Sequence, residues 1–195
     1  MWKFQRLPID LRPGFFLLLA AGLLFFPLPW VGAWLLAVTV HETFHLLAAR
    51  LSGGAVGGIA LGGGGVEIKI GPLEPKQAFL TAMAGPLGSI FLVFLAPWLP
   101  RTAVCGFLQA VFNLLPIMPL DGGRALGVLL CRFLKNGRRV AARVENGTIF
   151  LAFAACVYGF FRLELGIFPI LLLLLFLFKT GKIKISCKPG LQRLQ

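Results

Sequence analysis

The sequence predicts an all-α membrane protein. It should have about six transmembrane helices, a glycine-rich membrane-associated β-hairpin or loop after the second, and a broken fourth helix. Three observations predict this. The 195 residues are 58% hydrophobic and only 13% charged, with a mean hydropathy of +0.88. Many apolar runs approach the ~20 residues a helix needs to cross a bilayer. The basic residues behind the net charge of +12 fall between and beyond those runs. That is the positive-inside pattern, so the lipid bilayer is the expected partner and nucleic acid is not.

Met1–Arg12, with Lys3, Arg6 and Arg12, reads as a short amphipathic lead on the cytoplasmic side. A first span follows over about Pro13 to Phe26 and turns at Pro27. No small-residue cleavage site follows it, so it reads as a retained span rather than a signal peptide. A second span covers about Trp30 to Leu51, closed by Arg50. Ser52–Pro72 is rich in glycine and ends in Val66-Glu67-Ile68-Lys69-Ile70, an alternation typical of a strand. It reads either as a flexible linker or as a hairpin at the membrane surface whose open edge could pair with an extended substrate. It lacks the Gly-Lys-Ser/Thr ending of a phosphate loop.

The third span covers about Ala78 to Leu99, with Gly85 and Ser89 four apart on a small-residue face suited to close helix packing. A fourth begins near Thr102 and breaks across Asn113–Arg124, where Pro116, Pro119, Gly122 and Gly123 interrupt it. Non-helical backbone at membrane depth persists where it lines a cavity or is covered by protein. Arg124 to Arg143 reads as a basic loop, with room for a helix across Leu126–Leu134. Fifth and sixth spans are expected at about Thr148–Phe161 and Leu165–Phe178, before a basic tail. The lysines and arginines put both termini of this multi-pass chain in the cytoplasm. Cys105, Cys131, Cys156 and Cys187 are scattered without a C-x-x-C pair, and read as fillers.

The chemistry concentrates in the second span. His41 and His45, the chain's two histidines, stand four apart with Glu42 after the first. On a helix, i and i+4 share a face, so both imidazoles can meet one metal ion. Glu42 projects about 100° away and can reach a water on that metal without ligating it. Ionisable groups in a span are costly, about 2.5–3.5 kcal/mol for a charged one at the bilayer centre, and mark function.

A catalytic zinc takes three protein ligands and keeps one open position. With both histidines used, the third is a carboxylate or a thiolate. Asp10, Glu67, Glu74, Glu145 and Glu164 sit in loops or at span ends, and Glu42 points off the ligand face. Asp121, in a helix break within an apolar stretch, is the best third ligand. One catalytic Zn2+ held by His41, His45 and Asp121 is therefore the expected cofactor, with Glu42 as general base for peptide hydrolysis. Asn113 either hydrogen-bonds the substrate or developing oxyanion, or caps the broken helix. A divalent-metal (zinc) membrane transporter is the alternative. Such a carrier needs further ligands along its pathway, and this chain has no third histidine.

With both motifs placed, the sequence resembles the site-two protease family of intramembrane zinc metalloproteases. The resemblance rests on His41-Glu42-x-x-His45, on Gly85-x-x-x-Ser89, and on Asn113-x-x-Pro116-x-x-Pro119-Leu120-Asp121-Gly122-Gly123. It implies His41, His45 and Asp121 as zinc ligands, Glu42 as base, and a glycine-rich membrane hairpin after the second span. It makes 1–195 one membrane metalloprotease domain, with a catalytic core at about 30–124 and no PDZ or CBS domain. The plan is most like the sporulation stage-four branch, which places the chain in a bacterial cytoplasmic membrane. That branch implies a membrane-associated protein substrate, such as a transcription-factor or sigma-factor precursor or an anti-sigma factor. It leaves room for an inhibitory or regulatory membrane protein as a partner. Phe44 stands where small residues are common in the family, though off the ligand face.

Overall fold

The computed structural model describes residues 8–63 and 65–162. The chain divides into two compact units, the first ending at Phe112 and the second beginning at Asn113.

The first unit opens on a strand, β1 (Ile9–Leu11), where the sequence reads as an amphipathic lead. β1 lies parallel to β2 (Val56–Gly62), pairing Ile9 with Ile59, and β2 runs antiparallel to β3 (Gly65–Ile70) in the order β1-β2-β3. The alternation at Val66–Ile70 is thus a real strand, with Ile68 and Ile70 buried and Lys69 exposed. Gly65 takes φ +105° just after the turn, a conformation that side chains with a Cβ rarely adopt. Arg12 lies near Glu67 at 3.3 Å and Asp10 at 3.4 Å, fastening the end of β1 to the sheet. Both pairs are partly solvated and add little stability.

Between β1 and β2 run α1 (Pro13–Phe25) and α2 (Leu28–Leu51). The thirteen residues of α1 span only about 20 Å, short of the ~30 Å hydrocarbon core. α2 starts two residues before the expected Trp30 because proline is well placed in a first helical turn. At its other end the Gly53 and Gly54 amides bond back to the Arg50 and Ala49 carbonyls at 3.0 and 2.8 Å. Gly53, at φ +76°, supplies the left-handed residue this stop requires.

α3 (Pro75–Phe94) begins three residues before the expected Ala78. A capping box explains the early start, the Glu74 amide donating to Gln77 Oε1 at 3.0 Å. α2 and α3 are the principal helix pair of this unit. The buried stripe of α2 runs Ala33, Ala37, His41, His45 and Ala49, every fourth residue, and all but the histidines are alanine. α3 answers with Ala78, Ala82, Gly85 and Ser89. Small residues on both sides let the backbones approach, which is how helices associate where lipid removes the hydrophobic drive. α4 (Pro100–Asn113) closes on α3 through Gly106, where a Cβ would come 2.8 Å from the Ser89 carbonyl oxygen.

In the second unit, Leu114–Leu120 is the predicted helix break, with a cis Met118–Pro119 bond. α5 (Asp121–Phe133) starts at Asp121, and α6 (Gly137–Arg162) follows. The segment expected as a basic loop is therefore mostly helix. Its arginines and alanines are good helix formers, and α6 begins eleven residues before the expected Thr148. Cys105 and Cys156 carry free thiols, but Cys131 is disulfide-bonded, which overturns its reading as a filler. Among the described residues, α2, α3 and Gly137–Tyr158 are long and apolar enough to cross a membrane. Exposed Leu24, Phe25, Phe94 and Trp98 suit a lipid-facing exterior. The expected sixth span, Leu165–Phe178, lies outside the described residues.

Candidate metal centre

His41 and His45 face α3 from consecutive turns of α2 and are 2% and 8% exposed. Their rings stand nearly perpendicular, at 80°, and their Nε2 atoms are 3.2 Å apart. Two nitrogens each about 2.0–2.1 Å from a tetrahedral zinc would stand about 3.3 Å apart. The pair therefore fits a shared metal ion.

The far side of each ring is engaged by α3. His45 Nδ1 lies 2.7 Å from the Thr81 carbonyl oxygen, and His41 Nδ1 lies 2.7 Å from Ser89 Oγ. A carbonyl oxygen only accepts, so His45 donates from Nδ1 and a neutral ring keeps a lone pair on Nε2. Outer hydrogen bonds of this kind orient metal-binding histidines and fix their tautomer. Between the two contacts, at Gly85, a Cβ would overlap His45 Nε2 and come 2.7 Å from His41 Nε2. Glycine keeps that space open. One turn further, a Cβ at Gly88 would come 2.5 Å from Cγ of the Phe44 ring. The bulk of Phe44 is thus accommodated by the absence of a side chain opposite.

Glu42 follows His41 on α2 and is half-buried, off the stripe that carries the histidines. Asn113 is the last residue of α4 and also half-buried.

Asp121 is the first residue of α5 and is 5% exposed. Its turn is built by the two glycines after it. A Cβ at Gly122 would overlap the Leu114 carbonyl oxygen, and one at Gly123 would come 2.6 Å from that of Ile117. The loop beneath is held by the Met118 amide, which donates to Glu145 Oε1 at 3.1 Å. His41 and His45 on α2 and Asp121 at the start of α5 are each buried, and each carries an atom type that can ligate a metal ion.

Sequence reasoning treated Gly85 and Ser89 as packing residues and missed their contact with the imidazoles. It missed Thr81 altogether, because the group that matters there is a backbone carbonyl, which every residue type possesses.

No protein-family model matches the chain. It is 33% identical over 166 residues, 74% of this chain and 44% of the relative, to a protein of Synechocystis sp. named as a zinc metalloprotease. It is 30% identical over 169 residues to stage IV sporulation protein FB of Bacillus subtilis, covering 80% of this chain and 59% of that one. The chain thus spans about half the length of these curated relatives. The site-2 protease of Methanocaldococcus jannaschii shares the fold, with a TM-score of 0.64 over 94% of each chain at 21% identity. Taken with the histidine pair buried in a helix long enough to span a membrane, these likenesses point to the site-two protease family.

Proposed function

We propose that the protein is an intramembrane zinc metalloprotease that hydrolyses peptide bonds of membrane-associated proteins. The carrying observation is the His41–His45 pair, with Nε2 atoms 3.2 Å apart and both Nδ1 atoms engaged by α3. In this reading His41, His45 and Asp121 hold one zinc ion. Bound there, zinc would supply Lewis acidity and make a water far easier to deprotonate near neutral pH. Glu42 takes a proton from the attacking water and later returns one to the leaving amine. Asn113 donates its amide hydrogen to the substrate or to the oxyanion that develops from it.

Six spans with both termini in the cytoplasm, a single membrane domain across 1–195 and a bacterial cytoplasmic membrane complete the reading. So does a β2–β3 hairpin at the membrane surface. The substrate in this reading is a membrane-associated transcription-factor or sigma-factor precursor, or an anti-sigma factor. The reading leaves room for an inhibitory or regulatory membrane protein as a partner. The transporter alternative finds no support in the metalloprotease relatives, and the chain lacks further histidines to build a pathway.

The test is co-expression with candidate membrane-bound precursors, comparing wild type with Glu42→Gln by product size. A shortened product made only by the wild type is the expected result. Equal cleavage by a Glu42→Gln variant that retains zinc would sink the proposal.

A further inference from the structure

We propose that the corner between α5 and α6 is a headgroup site for an anionic phospholipid, whose phosphate it binds through Lys135, Arg138 and Arg139.

One glycine builds the corner. A Cβ at Gly137 would overlap the Leu130 carbonyl oxygen, so the start of α6 sits directly against the end of α5. The Gly137 amide donates to the Leu134 carbonyl at 3.0 Å, and the Asn136 carbonyl accepts from the Arg139 and Val140 amides at 2.9 and 3.2 Å. The turn is held by its own backbone, and the side chains around it line a cavity of about 360 Å³. That is within the ~300–1,000 Å³ usual for small-molecule sites.

The lining is cationic. Lys135, Arg138 and Arg139 bring three positive charges and Asn136 an amide. Arg143 follows Arg139 by one helical turn on the same face. No acidic residue occurs between Asp121 and Glu145, and Glu145 is engaged by the Met118 amide. The first turn of α6 has no acidic residue either, so the positive end of its dipole adds to the cations. Arginine guanidinium groups match the oxygens of a phosphate in pairs.

The apolar surroundings select a lipid over a soluble anion. Phe133 and Leu134, 73% and 44% exposed, stand next to the cations in the chain. Gly137 is also the first residue of a segment, Gly137–Tyr158, long and apolar enough to cross a membrane. The corner thus lies where a span meets the headgroups, with apolar side chains for the acyl boundary and cations at phosphate depth. A sidedness rule explains why cations flank a span, but it does not require them to line a cavity.

The experiment is native mass spectrometry of the full chain, delipidated in detergent and titrated with phosphatidylglycerol or with phosphatidylcholine of the same acyl chains. One phosphatidylglycerol should bind ahead of any further lipid, and more tightly than phosphatidylcholine. Each cation near a headgroup is worth about five-fold in affinity, so Arg138→Gln with Arg139→Gln should weaken this first binding by about 25-fold. Lys69→Gln with Arg101→Gln, an equal loss of charge at exposed positions elsewhere, should leave it unchanged. Lys135→Gln alone should cost about five-fold, and it decides the matter if the double variant fails to fold. Equal affinity for the two lipids, or wild-type affinity in the corner variants, would overturn the inference. An equal loss in the Lys69 and Arg101 variant would overturn it too, because overall charge would then account for binding. Displacement of the lipid by equimolar glycerol 3-phosphate would overturn the lipid in favour of a soluble phosphate.

Discussion

His41 Nε2 and His45 Nε2 stand 3.2 Å apart on consecutive turns of α2, close to the separation one tetrahedral zinc imposes on two imidazoles. The i,i+4 spacing brings the rings to one face, and α3 sets their rotation by binding each at Nδ1.

Glu42→Gln removes the proposed base while leaving shape and helix unchanged. Cleavage should fall by about 10²–10⁴-fold, the usual contribution of general acid–base catalysis. Zinc content by elemental analysis should stay at the wild-type level. Loss of zinc together with activity would reassign Glu42 to the ligand set.

Asp121→Ala should lower zinc affinity and abolish cleavage, because two imidazoles alone leave a catalytic zinc short of its three protein ligands. Competition against a chromogenic chelator measures the affinity. Unchanged stoichiometry and affinity would remove Asp121 from the site.

Gly85→Ala places a methyl where the His45 Nε2 atom already lies. The rings must turn away, so zinc uptake should be lost. Overpacking costs about 1–3 kcal/mol, which still permits folding. Zinc stoichiometry and thermal unfolding in detergent separate the two effects. Full zinc loading at wild-type affinity would contradict the close approach of Gly85 to the rings.

Gly88 and Phe44 should behave as a coupled pair. Gly88→Ala alone brings a methyl against the Phe44 ring and should destabilise by about 1–3 kcal/mol. Adding Phe44→Ala should relieve that clash, giving a coupling of about 0.5–3 kcal/mol in a double-mutant cycle. Strictly additive unfolding energies would show that the two residues do not meet.

Glu145→Ala removes the acceptor of the Met118 amide in a partly buried site. An amide left unpaired there costs about 1–3 kcal/mol. Limited proteolysis should then cut the Leu114–Leu120 loop sooner than in wild type. Equal rates would mean that this hydrogen bond does not hold the loop.

The membrane class, the helix break and the histidine pair were legible in the sequence because each depends on local composition or spacing. Hydropathy reports lipid-facing helices, two prolines and two glycines stop a helix, and i,i+4 puts two side chains on one face. Element bounds were less legible. α3 starts early through a side-chain cap, and the arginine-rich stretch after Leu134 is helical because charge pattern marks sidedness rather than backbone conformation. The strand at Ile9–Leu11 was missed because a three-residue edge strand exists only by pairing with β2, some fifty residues away.

By itself the sequence determined which side chains could bind a metal and that two of them, His41 and His45, lie in an apolar helix. Only the tertiary structure decided what holds them in place. Thr81 acts through a carbonyl, Gly85 through a missing Cβ, and Ser89 through a hydroxyl aimed at a ring 48 residues earlier in the chain. Residue type identifies a ligand, because ligation depends on the atoms a side chain carries. Orientation depends on which backbone and side-chain atoms from another helix arrive within 3 Å, and that is settled by packing.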